Sequence, residues 1–174
     1  MISTFGEETW RDFLARFALK EPYFAQPIMP VAHIPARLFL DLNDAMLHEF
    51  FHDDSRAYWT FGEKSAEYAL TEGQLRGLFA TGEFGRLMAF SPNIWKSYYS
   101  EGELTAQVAA DGATLSLSGV PIRHVHFEFA VMGFAFGGLK VLGAKAEYER
   151  VKGFSANDDE VVYRFKYSPD PARG

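Results

Sequence analysis

Two places in the chain combine residue types that could do chemistry. The first is His48-Glu49-Phe50-Phe51-His52, which spells His-Glu-x-x-His. On a helix the two imidazoles lie one turn apart on one face and can hold zinc, with the glutamate acting as general base. Asp53 and Asp54 follow directly, but two phenylalanines fill the middle and no third ligand is placed downstream. The competing reading is a solvated helix end, where the helix dipole favours histidine. The second place is Arg123-His124-Val125-His126-Phe127-Glu128. In an extended segment His124, His126 and Glu128 share a face and could ligate a divalent metal. In a helix the two imidazoles point roughly 200° apart, and Glu128 becomes the partner of His124. Pro121 before them and the apolar run after them favour a helix N-terminus, with the histidines as polar groups at the rim of a cavity.

Much other chemistry is excluded. The chain has no cysteine, so it can form no disulfide scaffold, thiolate metal site or cysteine nucleophile. No glycine-rich phosphate loop, Gly-x-Ser-x-Gly elbow or Ser/His/Asp arrangement is present. Carboxylates are scattered; Glu128 and Glu147 are the one candidate pair on an apolar face, and a buried carboxylate standing alone has Arg123 or Arg164 as possible partners. Net charge is −6 without a Lys/Arg cluster, which argues against nucleic acid as a partner. The N-terminal residues lack the basic and apolar regions of a signal peptide. The longest uncharged apolar run, Phe129 to Leu139, falls short of the ~20 residues a membrane span needs. The expectation is a cytoplasmic protein without a membrane span.

Aromatic residues make up 16% of the chain, with seventeen Phe, eight Tyr and three Trp. They fill a core, line a ligand cavity or form a dimer face. Ligand sites are mostly apolar with a few convergent polar groups. That description selects Trp95, Tyr98, Tyr99 and Phe127, with His124 and His126 supplying polarity, as candidate ligand-binding residues.

The elements that must position these residues follow from periodicity. Thr4 and Glu7 have capping-box spacing, and Trp10, Phe13, Leu14 and Phe17 fall on one face of a helix over about 7–19. This stripe either seals the core or docks on a second copy. Pro22, Pro27, Pro30 and Pro35 space a linker over 20–35. Helices are predicted over 36–51 and 56–70, where Gly62 permits close packing or a bend. A short helix from Thr71 to Ala80 and further turns over 83–89 follow. Ser91-Pro92 suits the N-terminus of another helix, through Tyr99. Asp111-Gly112 predicts a tight hairpin turn between ELTAQVAA and ATLSLSG. A buried helix from Phe127 to Leu142 then leads to a second hairpin, AKAEYERV and VVYRFKY, and a frayed tail.

Taken in order, these residues resemble a family of uncharacterised, myxobacterial-type proteins over roughly 36–167. The resemblance is carried by Phe61-Gly62, the run from Asn93 to Tyr98 and Tyr99, the glycine-bearing helix Gly133 to Gly143, and Tyr163-Arg164-Phe165. That family is related in fold to haem nitric-oxide-binding domains, 4-vinyl-reductase-type ligand domains and the Golgi-transport TRAPP subunits. The resemblance implies helices wrapped around a small antiparallel sheet, with a hydrophobic ligand between layers in several relatives. Its departures are specific. The haem-binding relatives hold the propionates with a Tyr-x-Ser-x-Arg motif that this chain lacks, and the cysteines of the other two types are missing. The cofactor is left unnamed.

The expected architecture is a single α+β domain: N-terminal helices, then a four-stranded antiparallel sheet of two hairpins joined by a long buried helix. The expected function is non-enzymatic: a small hydrophobic ligand-binding or sensory and signalling module, acting with a protein partner or as a homodimer. The alternatives are a protein–protein adaptor without a ligand, and a metal-dependent enzyme using His48, Glu49 and His52.

Overall fold

The computed structural model describes residues 1–26 and 33–170. The middle of the proline-spaced linker, with Pro27 and Pro30, and residues 171–174 of the tail lie outside them. The chain divides into two compact units, Met1–Asp54 and the remainder from Ser55.

The first unit contains α1 (Ile2–Phe5), α2 (Glu7–Ala18), a 3₁₀ turn (Pro22–Ala25) and α3 (Ala36–Phe51). Gly6, at φ 87°, separates α1 from α2 and stands as the N-cap. The capping box expected of Thr4 and Glu7 therefore does not form, because Thr4 is inside α1. The apolar stripe of α2 packs within its own unit. Phe13 is 3% exposed and meets Phe50 of α3 edge-on, with ring centres 5.2 Å apart, and Phe17 meets Phe24 at 5.3 Å.

The second unit contains α4 (Ala57–Thr71), α5 (Phe84–Tyr98), β1 (Glu103–Val108), β2 (Gly112–Ser118), α6 (Val125–Val141), β3 (Ala144–Lys152) and β4 (Val161–Pro169). The strands form one antiparallel sheet in the order β1-β2-β4-β3. The α+β class and the two hairpins joined by a buried helix are as the sequence predicted. Strand alternation sends Leu115, Leu117, Val161, Tyr163 and Phe165 to a buried face and leaves Arg164 and Lys166 in solvent. Each fully buried large apolar side chain contributes about 1.5–3 kcal/mol.

Helix α6 is apolar nearly all round because it is covered on several sides. Its closest neighbour is α4, and the approach is backbone to backbone. A methyl group on Gly62 would strike the Ala130 carbonyl, and one on Gly133 would strike that of Trp59. At Gly137 it would sit 2.7 Å from the Cα of Glu63. Gly62 thus serves close packing and not a bend.

Three local expectations are corrected. The Thr71–Ala80 helix is a series of turns: α4 runs on through Thr71, whose hydroxyl donates back to the Glu67 carbonyl at 2.7 Å. The segments expected over 83–89 and from Ser91 to Tyr99 are one helix with Pro92 inside it. The buried stripe of Leu87, Met88, Ser91, Ile94 and Trp95 runs unbroken past the proline. Asp111-Gly112 is not a two-residue turn, since Val108 pairs with Ala113 and Gly112 lacks a positive φ. Gly112 is instead a close-approach residue, where a Cβ would lie 2.5 Å from the Phe165 carbonyl oxygen.

A substitution at the helix crossing tests this packing. Gly62→Ala should lower stability by at least about 3 kcal/mol or prevent folding, since overpacking against backbone cannot relax through a side chain. Gly85→Ala, in an ordinary helical position with its nearest neighbour at 3.4 Å, should be neutral or stabilising by up to about 1 kcal/mol. Equal melting temperatures for wild type and Gly62→Ala would contradict the crossing.

Candidate ligand site

The N-terminus of α6 is held by two devices. His124 is extended, at φ −126° and ψ 139°, and caps the helix: its Nδ1 accepts the His126 N–H at 3.1 Å. His124 and His126 are therefore committed to a helix start and do not share a strand face. The second device is Glu128, fully buried in the first helical turn. Its carboxylate accepts from the Ser155 N–H at 2.7 Å, the Ser155 hydroxyl at 3.0 Å and the Tyr163 hydroxyl at 2.9 Å. Arg150 approaches to 3.8 Å. A buried carboxylate is tolerable only when its lone pairs are satisfied in this way. The partners are Ser155, Tyr163 and Arg150, not Arg123 or Arg164, and Gly153 leaves the room, since a methyl there would strike the carboxylate. Glu147 lies opposite Lys166 on the far face of the sheet and forms no pair with Glu128.

Around this anchored turn the aromatic candidates gather. Trp95 and Tyr99 of the α5 end have ring centres 4.2 Å apart, and Phe127 stands edge-on to Tyr99 at 5.4 Å and to Trp95 at 6.1 Å. Trp95 and Phe127 are each 3% exposed, and the Trp95 indole N–H donates to the Gly102 carbonyl at 3.1 Å. His126, 5% exposed, lies beside Phe127 at 5.7 Å. Five of the six candidates thus occupy one neighbourhood. Tyr98 turns outward: it is 50% exposed and its hydroxyl accepts from Gln74.

Sequence reasoning missed Tyr58 as a member of this group. It is fully buried and stands edge-on to His126 at 5.0 Å and to His124 at 6.1 Å. Its position in the apolar stripe of α4 marked it as core, and nothing in local spacing links it to the histidines. Burial pushes the Tyr99 hydroxyl up to about 12. Burial and the neighbouring Glu128 carboxylate push Tyr163 well above the usual tyrosine range, and burial also raises Tyr167.

The His-Glu-x-x-His motif is taken apart by its own surroundings. His48 is exposed and its Nδ1 lies 3.0 Å from an Asp53 oxygen. The Glu49 carboxylate is bound by Arg16, and His52 has left the helix in the left-handed conformation, at φ 51°. Among the described residues no three His, Asp or Glu side chains gather in a way that could hold a metal ion. A groove of about 350 Å³ on the outer side of α4 and α6 is lined by Glu63, Lys64, Glu67, Thr71 and Lys140. Its cations are already paired, Lys64 with Glu67 at 2.7 Å and Lys140 with Glu63 at 3.2 Å. No described helix is long and apolar enough to cross a membrane.

No protein-family model and no curated protein matches the chain. Solved structures do. An H-NOX protein from S. oneidensis, a triple mutant in the Fe(II) ligation state, superposes with a TM-score of 0.75 at 15% identity, covering 97% of this chain and 90% of that one. An oxygen-binding H-NOX domain related to soluble guanylate cyclases gives 0.70 at 12% identity, covering 97% and 89%. The Shewanella oneidensis H-NOX domain in the Fe(II)CO state gives 0.68 at 18% identity, covering 97% and 93%. The chain has the H-NOX fold.

Tyr99 supplies a pH test of the site. The folded state keeps the hydroxyl protonated to about pH 12, whereas the unfolded chain loses the proton near its ordinary value of 10.0. Stability is therefore complete below pH 10 and falls as pH rises toward 12, by about 1–3 kcal/mol for a partly buried ring. Urea unfolding at pH 9 and pH 11.5 should show a smaller loss in Tyr99→Phe than in wild type, with Tyr163 and Tyr167 supplying the remainder. Equal losses in the two proteins would place the Tyr99 hydroxyl in water.

Proposed function

We propose that the chain is a non-enzymatic sensory or signalling module that binds a small hydrophobic ligand on the aromatic wall of Trp95, Tyr99 and Phe127. His124 and His126 supply the polar groups of this site, and Tyr98 lies at its outer rim. The observation that carries the reading is the convergence of these side chains on one rigid turn. The capped start of α6 and its buried carboxylate hold Phe127 against the end of α5 and His126 against Tyr58 of α4. Rigidly supported aromatic walls with few polar groups suit small organic ligands. The fold gives the reading its context, since proteins of this fold have been solved with NO and with oxygen bound.

A ligand on this wall contacts α5 and α6 together, so its presence biases how firmly the two helices are held. The output then passes to a protein partner or a second copy. Edge strand β3 favours that arrangement, because it carries Tyr148 and Val151 at 48% and 40% exposure. The same surface supports the second reading, an adaptor that works without any small ligand.

Native mass spectrometry of freshly purified protein separates the two. The ligand reading expects an organic mass bound to the folded chain, retained about tenfold less well by Tyr99→Phe, the loss of one hydrogen bond worth about 1–1.5 kcal/mol. A bare polypeptide from several expression hosts, with the same mass in wild type and variant, would overturn it in favour of the adaptor.

A further inference from the structure

We infer that this chain uses the H-NOX fold without haem, so that the ligand of the aromatic site is not a porphyrin. The inference rests on the ligand-binding reading and narrows its chemical class.

Haem needs an axial donor, drawn from His, Cys, Met or Tyr. Cysteine is absent from the chain. Of its five histidines, His33 and His52 are exposed, and His48 is 79% exposed and faces Asp53. His124 spends its Nδ1 on the cap of α6. His126 is 5% exposed and its Nδ1 is buried in the interior, with the rings of Tyr58 and Phe127 centred 5.0 and 5.7 Å from its own, so a macrocycle could lie against it only by displacing them. The buried face of α5 presents Phe84, Leu87, Met88, Ser91, Ile94 and Trp95, with no imidazole. Met88 and Met132 are wholly enclosed. The Tyr163 hydroxyl donates to Glu128, and that of Tyr167 donates to the Gly112 carbonyl at 3.0 Å.

The second requirement is a cradle for two propionate carboxylates. The nearest approach to a Tyr-x-Ser-x-Arg triplet is Tyr98-Tyr99-Ser100-Glu101-Gly102, which ends in glycine where the cation belongs. The Tyr98 hydroxyl is engaged by Gln74. The Gly102 position cannot take a long side chain, because its φ is +81° and a Cβ there would lie 2.8 Å from Val120 and 3.1 Å from Trp95. The side chains of Trp95, Tyr99 and Phe127 carry no charge at neutral pH. These three rings themselves offer a dianionic macrocycle no cationic partner, whereas a neutral organic molecule does not need one.

The test is a titration of hemin into the full chain, followed in the Soret region, beside native mass spectrometry of the protein as purified. The expected result is a broad band that grows in proportion to added hemin, with no break at one equivalent and no change in His124→Ala or His126→Ala. A sharp Soret band saturating at one hemin per chain, in protein that stays folded, would overturn the inference whichever residue ligates the iron. The two readings fail separately. An organic mass other than haem supports both. No bound mass and no saturating Soret band leaves the haem-free fold standing and defeats the ligand reading. Haem as the co-purified mass defeats the inference while the site itself survives.

Discussion

The contact on which the second unit depends is the crossing of α4 and α6. Three glycines let the two backbones meet without side chains between them. An interface this close is bistable rather than elastic: it is either seated or it is not. Its consequences run outward. Because α4 covers one side of α6 and the sheet another, α6 must be apolar almost all round. Two hairpins then suffice to close the core, with β2 and β4 paired at its centre.

The crossing fixes how α6 lies on α4, but not where it begins. That is the task of Glu128. A carboxylate at zero exposure is a poor source of stability in itself, since its desolvation offsets much of what its hydrogen bonds return. What it supplies is register. It ties the first turn of α6 to β4 through Tyr163 and to the turn after β3 through Ser155. The His124 cap faces the same turn from the other side. Phe127 and His126 sit between these two fixed points, so the aromatic wall is a consequence of how the helix is anchored.

Features that depend on local pattern were legible in the sequence. The alternation of β1, β2 and β4, the span of α3 and the uninterrupted apolar run of α6 all reappear with bounds shifted by a residue or two. Features decided by distant neighbours were not. Asp111-Gly112 looked like a turn because that pair commonly is one, yet its glycine answers to the Phe165 carbonyl across the sheet. Pro92 looked like a helix start, but the buried stripe of α5 overrides it. His48-Glu49-x-x-His52 has metal spacing, and Arg16 and Asp53 divert it. The site was half visible: composition selected Trp95, Tyr99 and Phe127, whereas Tyr58 and the role of Glu128 depend on pairings between α4, α6 and β4 that no local spacing encodes.

The H-NOX structures and this chain share an architecture, and the proposal that this chain works without haem turns on its own histidines and on Gly102. In this account the helix crossing and the buried carboxylate hold the second unit together, with no prosthetic group required. Native-state hydrogen exchange on the haem-free protein tests that most directly. Amides of 58–66 in α4 and 129–137 in α6 should exchange only through global unfolding, the slowest class in the molecule. If they exchanged as fast as the N-terminal residues, and slowed only when hemin was added, the account would be contradicted.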